Sequence, residues 1–144
     1  MKTVRDLLAG KSSEVWSIGP DATVYDAIAL MSERGIGAVL VLDGGKLAGI
    51  LSERDYARRV ILKGKASRET RVREIMTTEL IHVTHDKTLD HCMAIMTTSR
   101  IRHLPVLHEG RLAGILSIGD IVKAMLTERE AQIEQLESYI KTGG

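Results

Sequence analysis

At 144 residues the chain is close to the commonest size for one domain, so it holds one compact unit or two small similar halves, not a large multidomain enzyme. Twenty Lys and Arg against 19 Asp and Glu leave a net charge of +1, and with no Phe and one Trp the chain lacks both the basic surplus and the aromatic platforms of a nucleic-acid binder. A single cysteine, Cys92, no apolar leader and a longest apolar run of only Ile36 to Leu42, about a third of a membrane span, read as a cytoplasmic protein with no membrane partner.

A short strand is expected over Val15–Ile18. Thr23 then caps a helix whose apolar positions Val24, Ala27, Ile28 and Met31 recur at helical spacing. Ala38–Leu42, the turn Asp43-Gly44-Gly45 and Leu47–Leu51 spell a β-hairpin. Ser52 caps a second helix carrying Tyr56, Val60 and Ile61, and the polar stretch Gly64–Thr70 reads as a linker. The order then returns: a strand over Leu80–Val83, a helix capped by Thr88 with Leu89, Cys92, Met93 and Met96 on one face, a hairpin of Leu104–Leu107 and Leu112–Leu116 around His108-Glu109-Gly110, and a helix capped by Ser117 with Ile121, Val122 and Met125. That last helix overruns its counterpart through Glu128–Ile140, with Ile133, Leu136 and Ile140 on one stripe. Two readings stand for it, a solvated end folded back on its own domain or a tail that stabilises a dimer.

The return is an internal repeat. At an offset of 65, Asp21–Val60 aligns with Asp86–Met125 without a gap, and about 15 of the 40 pairs are identical, several times what chance provides. Leu47-Ala48-Gly49-Ile50-Leu51-Ser52 recurs as Leu112-Ala113-Gly114-Ile115-Leu116-Ser117, with Asp55 and Asp120 at the same spacing beyond. Upstream, Val4–Leu8 matches Val72–Met76 at an offset of 68. A unit of roughly 60 residues buries too little apolar surface to be comfortable alone, so the halves should pack on each other.

Two β-α-β-β-α units, each with Gly-Ile-Leu-Ser-x-x-Asp, resemble a cystathionine-β-synthase (CBS) domain pair of the stand-alone single-module type. The resemblance implies an α/β fold of two CBS repeats packed as a pseudo-twofold pair with an extended C-terminal helix. Its expected divisions are residues 1–63 for the first repeat, 64–70 for a linker, 71–127 for the second repeat and 128–144 for the helical tail. It also implies a disk-like homodimer that regulates instead of catalysing and binds adenosine-containing ligands, namely AMP, ADP, ATP, NAD(H) or S-adenosylmethionine, in clefts between the repeats. Carried onto this sequence, Asp55 would face Arg102 and His103, with Pro105 beyond them, and Asp120 would face Ile36, Gly37 and Ala38. Arg54 and Arg58 would supplement the first cleft, which is thus the more cationic of the two.

The residue chemistry suits such a ligand. Ser52 and Ser117 stand where a strand enters a helix, so a hydroxyl and free N–H groups face any anion there, aided by the helix dipole. Asp55 and Asp120, three residues on, can accept hydrogen bonds from vicinal ribose hydroxyls. Ser-x-x-Asp is equally a capping box that merely closes a helix start, and Arg54 with Arg58 can be a solvated face. A client enzyme bound through the apolar helices and the tail, with nucleotide only structural, is the competing class. His82, His85, His91, Cys92 and His108 are too loosely spaced for a metal site, Cys92 reads as a buried small hydrophobe, and no catalytic arrangement stands out, so neither a metal nor an enzyme is expected.

Overall fold

The computed structural model describes residues 2–10 and 15–141, which form two compact units. They are not simply the first and second halves of the chain. One is Glu14–Ile81, and the other joins Met1–Ser13 to His82–Gly144. The opening helix therefore packs with the second copy's hairpin, and the start of the second copy packs with the first copy's hairpin.

In the unit Glu14–Ile81, β1 (Ser17–Ile18) pairs in parallel with β2 (Ala38–Asp43), which pairs antiparallel with β3 (Lys46–Ser52). Gly44 and Gly45 turn the hairpin with φ of 58° and 85°, the positive values that a two-residue turn between twisted strands demands. Helix α2 (Val24–Arg34) starts where the Thr23 hydroxyl accepts the Asp26 N–H, and ends on Gly35 in the left-handed conformation. Its buried face, Val24, Ala27 and Met31, meets Val39, Val41 and Leu51 of the sheet together with Val60, Val72 and Ile75. The second helix is shorter than the sequence suggests: α3 covers only Glu53–Tyr56 and continues as a π-helical turn, Ala57–Ile61, that keeps Val60 buried but leaves Ile61 outside.

The stretch 64–70 is not a loose connection. Ser67 and Thr70 carbonyls accept the Tyr25 and Val24 N–H groups at 3.0 and 2.8 Å, so they serve the first turn of α2, and Tyr56 and Ser67 share a hydroxyl hydrogen bond of 2.9 Å. Helix α4 (Val72–Ile75) follows.

The unit containing His82–Gly144 repeats this arrangement. Helix α1 (Val4–Ala9) takes the place of α4, α5 (Leu89–Ser99) that of α2, and β4 (His103–His108) with β5 (Arg111–Ser117) that of the hairpin. The correspondence extends to individual bonds: Val4 and Leu89 N–H groups donate to Lys87 and Lys2 carbonyls at 2.8 and 3.1 Å, as Val72 and Val24 donate to Ala22 and Thr70. Both hairpins carry an irregularity at the same step, Val41/Leu42 and Val106/Leu107. The expected strand at Leu80–Val83 reduces to one bridge, Val83 against Val106. The core gathers Val4, Val83, Leu89, Cys92, Met96, Leu104, Val106, Leu116 and Ile121. Helix α6 (Ile118–Lys141) spans 24 residues and does not fold back, since every residue from Arg129 to Lys141 is exposed. No helix among the described residues is long and apolar enough to cross a membrane.

Candidate functional site

Each hairpin delivers its last strand residue to the start of a helix. Ser52, opposite Ala38, and Ser117, opposite His103, hold these corners. At the first, the Ser52 N–H and hydroxyl both donate to Asp55 Oδ2, at 3.0 and 3.1 Å, while the Asp55 N–H donates to Ser52 Oγ at 3.1 Å. At the second, the Ser117 N–H donates to Asp120 Oδ2 at 2.9 Å and the Asp120 N–H to Ser117 Oγ at 3.1 Å. Both Ser-x-x-Asp pairs thus form a capping box, and all four residues are half-buried, neither sealed in the core nor fully in water.

The strand starts lie beside these corners within each unit. The Glu53 N–H donates to the Gly37 carbonyl at 3.0 Å, so Ile36, Gly37 and Ala38 run along the Ser52–Asp55 corner. Equivalently, the Ile118 N–H donates to the Arg102 carbonyl at 2.9 Å, which brings Arg102, His103 and Pro105 to the Ser117–Asp120 corner. Gly37 and Ala38 give the first corner a neutral wall. Exposed Arg102 gives the second a cationic one, with half-buried His103 beside it. Arg54 and Arg58 are exposed on the first corner's helix, while Pro105 is buried in the strand.

Thr77 is the residue that sequence reasoning missed. Its hydroxyl donates to Asp55 Oδ1 at 3.3 Å, and its backbone bridges Ile50. At the offset of 68 its counterpart is Ala9, which has no hydroxyl to give, and that break in the repeat was the available signal. Arg59 was missed too; its guanidinium donates to the Ile75 carbonyl at 2.9 Å and so closes the end of α4.

A hydrogen bond from Arg73 holds the Asp21 carboxyl below the usual carboxylate value, and the Thr3 backbone N–H does the same for Asp6. Burial pushes the Cys92 thiol up. His85 lies beside His108, ring centres 4.8 Å apart, but among the described residues no three His, Cys, Asp or Glu side chains are grouped to hold a metal ion.

The family model for the CBS domain matches residues 4–62 and again 72–127. The mitochondrial CBS domain-containing protein CBSX3 of Arabidopsis thaliana is 40% identical over 151 residues, covering 98% of this chain and 73% of that protein. A solved protein with CBS domains from Burkholderia ambifaria MC40-6 superposes with a TM-score of 0.86 at 48% identity, covering 88% of this chain and 95% of that one. The CBS domain pair of protein MJ0100, solved in complex with 5′-methylthioadenosine and S-adenosyl-L-methionine, shares the fold with a TM-score of 0.78 at 24% identity over 88% of this chain and 98% of that chain.

Proposed function

The chain belongs to the CBS-domain family, carrying two copies of the domain, and from that premise we propose that it is a regulatory module that binds adenosine-containing ligands and signals their presence by a change of conformation. The candidate ligands are AMP, ADP, ATP and NAD(H), along with S-adenosylmethionine, the compound held with 5′-methylthioadenosine by the MJ0100 pair. The observation that carries the reading is the recurrence of one corner in both units: a serine hydroxyl, a strand-to-helix backbone and a carboxylate, half-buried beside the first residues of the hairpin. A carboxylate there suits ribose hydroxyls, and the helix start suits a phosphate. Arg102, His103, Arg54 and Arg58 supply cationic groups for phosphates. The module acts as a cytoplasmic homodimer and not as a catalyst. Occupancy shifts its conformation only as far as the ligand prefers one arrangement over another.

One observation favours a second reading. The Asp55 carboxylate already accepts from the Ser52 N–H, the Ser52 hydroxyl and Thr77, as a purely structural cap would. The protein would then be an interaction module for a client enzyme, with nucleotide serving stability alone.

Native mass spectrometry of the purified protein, followed by melting with AMP, ADP, ATP, NAD(H) and S-adenosylmethionine, tests the first reading. A ligand present at 100 times its Kd and binding only the folded state stabilises by about 2.7 kcal/mol, which a melting curve resolves. No shift with any of the five refutes ligand sensing. A client captured equally well with and without nucleotide favours the interaction module.

A further inference from the structure

Helix α6 leaves its own unit with an apolar stripe uncovered. Val122, Leu126, Ile133, Leu136 and Ile140 are 41%, 57%, 55%, 64% and 72% exposed. Together with exposed Arg129 they follow a spacing of four, three, four, three and four residues, the a/d seam of a two-stranded coiled coil. The outer part of the helix, Arg129 to Lys141, is exposed throughout, and its sequence sets one i,i+4 attraction, Glu137 to Lys141, against one i,i+4 repulsion, Glu130 with Glu134. Helices of that length are marginal alone in water, and their stability in proteins comes from packing an apolar face.

We propose that the stripe is covered by α6 of a second copy running antiparallel, an interaction independent of any nucleotide site. Charge decides both occupant and direction. One flank of the stripe carries Lys123, Glu130 and Glu137, and the other carries the uncharged Met125, Gln132 and Tyr139. A parallel pair would set Arg129 against Arg129 of the second copy in the seam and Glu130 and Glu137 against uncharged side chains, with no attraction to offset the repulsion. The antiparallel pair layers Val122 on Ile140, Leu126 on Leu136 and Arg129 on Ile133. It also brings Lys123 to Glu137 twice and places each Arg129 guanidinium beside the otherwise repulsive Glu130 pair at the centre. The seam from Val122 to Ile140 is about 27 Å long at helical rise.

The test co-expresses full-length Leu126→Cys and Leu136→Cys variants and oxidises them; the native Cys92 is buried and contributes little background. The expected product is the mixed 126–136 disulfide dimer, with no self-linked dimer when either variant is made alone. Self-linked dimers indicate a parallel pair and overturn the proposal, as does the absence of any cross-link. Lys123→Glu should weaken association by about tenfold at low salt, as expected for two lost ion pairs replaced by repulsion, and adding Glu137→Lys should restore it. Both side chains are exposed, so neither change threatens the fold, and failure of the charge swap to rescue association overturns the register.

Discussion

Gly49 and Gly114 occupy the same place in the two hairpins, opposite Val41 and Val106, yet their replacement by alanine should have very different costs. Neither backbone is left-handed, so alanine is conformationally allowed at both and only space matters. A Cβ on Gly49 would lie 2.8 Å from Met76 Sδ and 2.9 Å from the Thr77 carbonyl oxygen. The sulfur can swing away, but the carbonyl cannot: it accepts the Ile50 N–H at 3.0 Å, and the Thr77 N–H donates back to the Ile50 carbonyl at 2.9 Å. Relief requires moving that backbone, at about 1–3 kcal/mol for overpacking plus about 1 kcal/mol for a weakened hydrogen bond. At Gly114 the nearest atom is Leu8 Cδ2 at 3.0 Å, the far end of a flexible side chain. A rotamer adjustment there costs about 0.5–1.5 kcal/mol and is largely offset by the reduced freedom of the unfolded chain. Gly49→Ala should therefore lose about 3 kcal/mol, or roughly 10 °C in Tm, and Gly114→Ala no more than about 1 kcal/mol. Thermal and urea unfolding of the two variants decide it. Equal losses, or a larger loss at Gly114, would refute the assignment of Met76–Thr77 and Leu8 to the two hairpins.

Glu109 has φ of 52° where the other hairpin has Gly44, so Glu109→Gly should raise stability by about 0.5–1 kcal/mol in a urea titration; a loss would mean that the side chain matters more than the strain. The Asp21, Asp6 and Asp86 carboxyls are held below 3.8 by hydrogen bonds from Arg73, the Thr3 backbone and Thr84 respectively, so the stability they contribute is intact above that value and disappears as the pH falls below it. The urea midpoint should be flat from pH 7 to about 5 and drop below about 4; a fall already under way at pH 6 contradicts this. The Cys92 thiol is raised by burial, so above pH 9.0 the unfolded thiol ionises first and stability declines, while the folded thiol resists alkylation. Asp55→Ala and Asp120→Ala should each cost about 1 kcal/mol of stability through the lost cap, and about 1.5–3 kcal/mol, or 10- to 150-fold, in nucleotide affinity at the affected site by calorimetry.

Local chemistry was readable in the sequence. Thr23 and Thr88 cap their helices as the spacing required, both hairpins form in register, and the stripes Val24-Ala27-Met31 and Leu89-Cys92-Met96 are buried. What escaped depends on partners distant in sequence. Self-alignment reveals that Val4–Leu8 and Val72–Met76 are equivalent, but not which hairpin each will cover, because the pattern is the same on both and only the chain's path decides. The strand at Leu80–Val83 fails because only Val83 meets a neighbouring strand, with its N–H on the Pro105 carbonyl at 3.0 Å. Polarity marked Gly64–Thr70 as the stretch between the repeats, but it could not show that the Ser67 and Thr70 carbonyls accept N–H groups that open α2. Arg100, left-handed at φ 55° where the first copy uses Gly35, is likewise a residue that propensity alone would not choose at that position.

The two readings of Ser-x-x-Asp, cap and ligand site, compete less than they first appear to, and the competition differs between the units. A carboxylate has about four lone-pair directions. At Asp55 the box uses Oδ2 twice, and Thr77 takes a direction on Oδ1 at 3.3 Å, a long and therefore weak bond. A ribose hydroxyl can use the remaining direction without breaking the cap, or displace Thr77 at the cost of one modest hydrogen bond that the ligand itself replaces. Closing the helix start also fixes the carboxylate's orientation before any ligand arrives, which lowers the ordering cost of binding. Ala9 holds the place of Thr77 in the other unit, so whatever satisfies Asp120, it is not a threonine at this position. Thr77→Ala thus separates the two roles. If Asp55 only caps, removing the hydroxyl slightly lowers stability and leaves nucleotide binding untouched. If Asp55 binds ribose, the same change removes a competitor and strengthens binding at that corner while stability still falls. A titration in which affinity and stability fall together would instead make Thr77 a positioning residue for the Asp55 carboxylate.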